Sequence, residues 1–173
     1  MGDTLITIVA IALAAILMFV FPLMTMADRA DSASQLTIQQ ATTDFVEKAS
    51  TTAKITKANY DVFIQKITST GNTYDVELTV QIRDSNLGKK ASLAQPDKIG
   101  ENVYFTEYTG QILNELDANG TYYCKEGDII TAAVKNNNLT ISDQLKNFFY
   151  TVTGNNTASI VAEHTAMVTA NGK

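Results

Sequence analysis

The chain has 173 residues, with 13 lysines and arginines against 18 aspartates and glutamates, no tryptophan and a single cysteine, Cys124. One cysteine excludes an intrachain disulfide and any CxxC redox or zinc pattern, and one histidine, His164, excludes a metal site built on several imidazoles. Asp3 is the one charged residue before position 28, so residues 28–173 hold 13 basic and 17 acidic side chains, a net charge of −4 without a basic cluster; nucleic acid, whose phosphates need grouped lysines and arginines, is thereby excluded as a partner.

The chain opens on an apolar run. From Thr4 to Ala27 there is no charge, and Thr4, Thr7, Pro22 and Thr25 are the interruptions. About 20 apolar residues suffice for a helix to cross a bilayer, so the run predicts a membrane-inserted segment over 1–27. A cleaved signal peptide is the competing reading, because Thr25-Met26-Ala27 has the small-x-small form of a cleavage site. A basic n-region is missing, and the run exceeds the roughly 7–15 residues of a signal's apolar core. Retention is therefore expected, with Pro22 as a local kink.

Residues 28–70 contain no glycine or proline, and Ile38, Ala41, Phe45, Ala49 and Ala53 recur at spacings of three and four. That period predicts an amphipathic helix continuing the apolar one, over 28–55. Unbroken from residue 4 to about 50, such a helix would be roughly 70 Å long.

This combination resembles the type IV pilin and pseudopilin superfamily, including tight-adherence and clostridial pilus-like subunits. The resemblance rests on Gly2 followed by Thr4-Leu5-Ile6, the long apolar helix, Pro22, and one small domain behind it. It implies a leader cut after Gly2 by a prepilin-type peptidase, leaving Asp3 first. It also implies that the exposed helix packs among copies of itself or other pilin-like subunits, with membrane lipid as its partner before assembly. Leu5, Ile6, Ile8, Val9, Leu13, Leu17, Val20, Phe21 and Pro22 would then be the assembly residues. The chain departs from the family pattern at Asp3, where an apolar residue is usual, and at Thr7, where a glutamate is usual.

Residues 56–173 are expected to form an extracytoplasmic α+β domain. Thr56 is a candidate N-cap for a second helix with Tyr60, Phe63, Ile64 and Ile67 at helical spacing, stopped by Gly71-Asn72. Tyr74, Val76, Leu78, Val80 and Ile82 alternate with Asp75, Glu77, Thr79, Gln81 and Arg83, which predicts a half-buried strand. Residues 84–100 read as a long loop with Lys89-Lys90, a candidate contact loop or a plain solvated one. Tyr104, Tyr108, Ile112 and Leu116 step by four and predict one helix ending at Asn119-Gly120. A strand over 129–134, a turn at Asn136-Asn137-Asn138, a helix capped by Thr140 or Ser142, a turn at Gly154-Asn155 and a final strand over 159–169 complete the series. The expected architecture is a mainly antiparallel sheet of three or four strands with helices packed on one face.

Catalytic patterns are absent from this sequence. His164 and Glu163 are adjacent in a predicted strand, so they point to opposite faces and cannot pair. Cys124 reads as a buried thiol, and no phosphate loop, dinucleotide fingerprint or nucleophile elbow occurs. The expectation is a non-enzymatic protein without a cofactor: a subunit of a pilus-like filament or secretion pseudopilus, single-pass in the cell membrane and extracellular once assembled. The alternative is a monomeric membrane-anchored binding or accessory module, for which the helix is only a tether.

Overall fold

The computed structural model of the chain describes residues 2–84, 104–150, 160–170 and 172. Helix α1, Gly2–Thr52, is 51 residues long and contains Pro22, so the apolar and amphipathic segments form one helix of about 77 Å at ~1.5 Å per residue. It continues past Pro22 although proline has no N–H to give the preceding turn. It ends where Ala53 adopts a left-handed φ of 51°. Terminal carbonyls of α1 are then met by other strands of chain: Cys124 N donates to Ala53 O at 2.9 Å and Thr169 N to Ser50 O at 3.3 Å.

Strand β1, Lys54–Thr56, follows, then helix α2, Lys57–Thr68. Thr56 is its N-cap and accepts from Asn59 N, as the sequence predicts. Strand β2, Tyr74–Arg83, matches the alternation that predicts it. The next segment differs from expectation. Tyr104–Tyr108 is strand β3, and helix α3 starts only at Thr109 and runs to Asn119. A step of four keeps residues on one face of a strand as well as a helix, so Tyr104 and Tyr108 fit both periods. Aromatic and β-branched residues favour the pleated choice, and β2 offers Thr79–Arg83 as a pairing edge. Gly120 ends α3 in the left-handed conformation, φ 72°, with its N–H on Leu116 O.

Strand β4, Thr121–Tyr123, pairs with β1 in a small two-stranded sheet. Both strands have three residues, too few to show a period, and sequence reasoning does not find them. Strand β5 is Ile129–Asn136, helix α4 is Ile141–Tyr150 and strand β6 is Val161–Met167. Thr140 caps α4 reciprocally: Asp143 N donates to its hydroxyl at 3.1 Å and Thr140 N to the Asp143 carboxylate at 3.2 Å. The predicted loop around Lys89-Lys90, the turn at Gly154-Asn155 and the start of the last strand at Ser159 lie outside the described residues.

The main sheet has four antiparallel strands in the order β3-β2-β5-β6. Its registers put Leu78, Val80, Ile130, Ala132, Val134 and Ala162 on one face, and all six are buried. α1 covers that face over β5 and β6, and α3 covers it over β2 and β3. The core is completed by Ile38, Ala41, Val46 and Ala49 of α1 with Ile112 and Leu116 of α3. α2 packs on α1 instead, with the Phe45 and Phe63 rings stacked at 4.6 Å. The molecule is thus an α+β fold with a long N-terminal helix, as the sequence predicts.

Candidate membrane and assembly helix

Two stretches of α1 live in different surroundings. From Ala27 onward the buried residues are Ala27, Ser34, Ile38, Ala41, Thr42, Phe45, Val46, Ala49 and Ser50. Before Ala27 none is buried. The most apolar 18-residue window of the helix has no buried residue at all, and by length and composition it can cross a membrane. Seven of the predicted assembly residues, Leu5, Ile6, Ile8, Val9, Leu13, Leu17 and Phe21, are exposed. Ile11, Ile16, Met18, Phe19 and Leu23 are exposed as well, so the apolar surface surrounds the helix and is not confined to a stripe. A helix apolar on every side suits lipid or the interior of a helix bundle, not water.

Val20 departs from the other seven. It and Met24, four residues apart on one face of the helix, are half-buried among exposed neighbours. Gly2 and Asp3, the candidate processing site, are both exposed in the first turn of α1. Asp3 stands where the helix dipole favours an anion. Thr7 turns its hydroxyl back to the Asp3 carbonyl at 2.7 Å, the ordinary resting place of a helical threonine.

A polar clasp sits immediately after the apolar stretch. Asp28 accepts from Lys146 Nζ at 2.6 Å and from the Ser142 hydroxyl, and Asp31 accepts from the Thr140 hydroxyl at 2.7 Å. These bonds hold the start of α4 against α1. The hydrogen bond from Lys146, then that from Ser142, keeps the Asp28 carboxyl below its usual range, and Asp28 in turn raises Lys146. Sequence patterns give no cue to this clasp, since its partners are 109–118 positions apart. The largest separation there is that of Asp28 and Lys146.

The residues that could have carried chemistry are engaged structurally. His164 Nε2 lies 2.9 Å from Glu47 Oε1 and ties β6 to α1; Glu163 is not its partner. Cys124 is buried, and burial, with the charges of Asp128 and Glu107, pushes its thiol up to about 12, so it stays protonated and a poor nucleophile at neutral pH. Burial likewise raises Tyr122, whose hydroxyl donates to Glu107 at 2.8 Å. Among the described residues no group of three or more His, Cys, Asp and Glu is placed to hold a metal. Tyr104 and Tyr108 lie on one face of β3 and are not part of the helix that their spacing predicts.

No protein-family model, curated protein or solved structure matches this chain.

Proposed function

We propose that the chain is a non-enzymatic structural subunit of a type IV pilus-like filament or secretion pseudopilus, held in the membrane by the apolar half of α1 before assembly. The observation that supports this reading is the continuity of α1. A tether for a monomeric module needs only the spanning stretch and tolerates a flexible joint after it. Here the exposed apolar half and the half docked on the sheet are one helix with no break at position 28. Such a helix fixes the domain rigidly with respect to the apolar rod, which is what a repeating assembly requires of each subunit.

Assembly transfers the apolar half from lipid to copies of itself. Lipid is as apolar as the helix, so the drive is close packing rather than escape from water. Leu5, Ile6, Ile8, Val9, Leu13, Leu17, Val20 and Phe21 supply the contacts in this account, and Pro22 removes one hydrogen bond near the end of the rod. The acidic domain forms the outer surface, outside the cytoplasm. A prepilin-type peptidase would act between Gly2 and Asp3.

Leu13→Asp tests the proposal. A carboxylate in the middle of the apolar rod costs about 2.5–3.5 kcal/mol at a bilayer centre and more than a filament contact can return. The variant is expected to form no filaments by electron microscopy while its domain keeps the wild-type unfolding transition. Filaments of normal abundance from Leu13→Asp would refute the assembly role. N-terminal sequencing of purified protein adds the processing step: a start at Asp3 supports the pilin reading, a start at Asp28 a secreted domain, and an intact Met1 a tether.

A further inference from the structure

The domain begins where the apolar rod ends, without a linker, so one end of it faces the bilayer surface whenever the rod is in lipid. The hydrogen bonds along α1 identify that end. The Gln35 side chain bonds the Val161 backbone in both directions, at 2.6 and 3.1 Å, while Thr169 N reaches Ser50 O at 3.3 Å. β6 therefore runs the same way as α1, away from the rod. The antiparallel register then places Tyr74 and Asn136 at the rod end, with the connection from β5 to α4 beyond them.

That connection has an unusual surface for an acidic domain. Leu139 and Ile141 are 58% and 71% exposed, although single exposed apolar side chains are common and by themselves mean nothing. Their setting distinguishes them. Thr140 and Ser142, the residues between and after them, are buried and bonded to Asp31 and Asp28 of α1. α4 thus turns hydroxyls and Lys146 inward to α1 and leaves Ile141 outside. Asp31 is four residues past Ala27, about 6 Å along the helix axis. The polar headgroup layer of a bilayer is itself about 5–7 Å thick on each side. Beside the two apolar side chains lies an uncharged network. Thr73 N donates to Asn138 at 2.9 Å and Asn138 donates to Asn72 at 3.1 Å. The nearby carboxylates are engaged: Asp28 by Lys146, Asp31 by the Thr140 hydroxyl at 2.7 Å, the buried Asp143 by Thr140 N at 3.2 Å, and Asp75 by Asn137 at 3.0 Å.

We infer that Leu139 and Ile141 form a second, interfacial anchor that seats this end of the domain in the headgroup layer of the bilayer from which α1 emerges. The occupant is a zwitterionic lipid surface, since residues 28–173 are net acidic without a basic cluster to attract anionic lipid. Large apolar side chains amid uncharged polar ones suit the boundary between headgroups and acyl chains. With the rod crossing the bilayer and a second contact beside it, the domain is fixed in rotation as well as in height. This inference rests on α1 spanning the membrane and not on filament formation.

The chain has no tryptophan, which makes single-tryptophan variants direct reporters. Full-length Ile141→Trp and Leu139→Trp are reconstituted in phosphatidylcholine vesicles, without brominated lipid, with lipid brominated near the glycerol end of its acyl chains, and with lipid brominated deep in its acyl chains, the depth at which position 13 sits. Leu13→Trp reports on the rod, and Val62→Trp, exposed on α2 far from the rod, on the solvent side. The expected result is blue-shifted, bromine-quenched emission at 139, 141 and 13, and water-like, unquenched emission at 62. Quenching at 13 with water-like emission at 139 and 141 would overturn the second anchor and leave the span standing. Absence of quenching at 13 would overturn both. A blue shift at 141 without quenching would mean that protein, not lipid, covers this end, and would also overturn the inference.

Discussion

The two halves of α1 are parts of one helix and obey different rules. Residues 28–52 follow the logic of a soluble helix: Ile38, Val46 and Ala49 are on the buried face, while Gln39, Glu47 and Lys48 are in water. Residues 2–26 have no buried side chain, and apart from the half-buried Val20 and Met24 their large apolar side chains are exposed. Local helix geometry is the same in both, so their difference lies in what covers them. For the second half the cover is the sheet of the same chain. For the first half it must be lipid or another molecule, because water does not tolerate a continuous apolar rod.

Truncating side chains in each half would sharpen this contrast most. Phe45 is buried and stacked on Phe63, so Phe45→Ala should cost about 3–5 kcal/mol in domain stability. Leu17→Ala removes a side chain exposed to its surroundings, and should change the same unfolding transition by less than about 0.5 kcal/mol. Urea unfolding of detergent-solubilised protein, followed at constant detergent, compares the two. Equal losses would mean that the rod is part of the domain's own core.

A smaller effect concerns the junction between the halves, and it depends on pH. The Asp28 carboxyl is held below its ordinary value, first by its hydrogen bond from Lys146. Its contribution is therefore complete above the unfolded-state carboxylate range and is lost as pH falls through the lowered folded value. Lys146 is raised, first by its hydrogen bond to Asp28, so the same ion pair is lost at the other extreme, as pH climbs through the raised folded value. Between the two limits the pair should add a flat increment. Both side chains are substantially exposed, which keeps it to about 0–1 kcal/mol. Asp28→Asn should lower stability by that amount at pH 7 and by less once pH falls through the lowered folded value of Asp28, in paired urea titrations. A loss that grows on acidification would contradict the clasp.

Much of this organisation is legible in the sequence, because it depends on local period. The rod is visible from missing charge, the docked half from the spacing of Ile38, Ala41, Phe45 and Ala49, β2 from its alternation, and α2 and α4 from Thr56 and Thr140. β3 is not, because a step of four at Tyr104 and Tyr108 belongs to both helix and strand. β1 and β4 have no period to read. The clasp of Asp28 with Ser142 and Lys146 and the setting of Leu139 and Ile141 depend on which distant segments the sheet topology brings beside residue 28. A single sequence does not encode that proximity in any local pattern.

The central claim is that copies of the chain meet through the apolar half of α1. Disulfide cross-linking of Leu13→Cys tests it directly, because the native Cys124 is buried and its thiol is raised to about 12, so it does not compete. Under mild oxidation, or with a bismaleimide whose reach exceeds the about 8–10 Å between packed helix axes, Leu13→Cys in cells or reconstituted membranes should yield cross-linked dimers, and Val62→Cys, exposed on α2 away from the rod, should not. Leu13→Cys that stays monomeric under conditions where filaments are present would contradict the account.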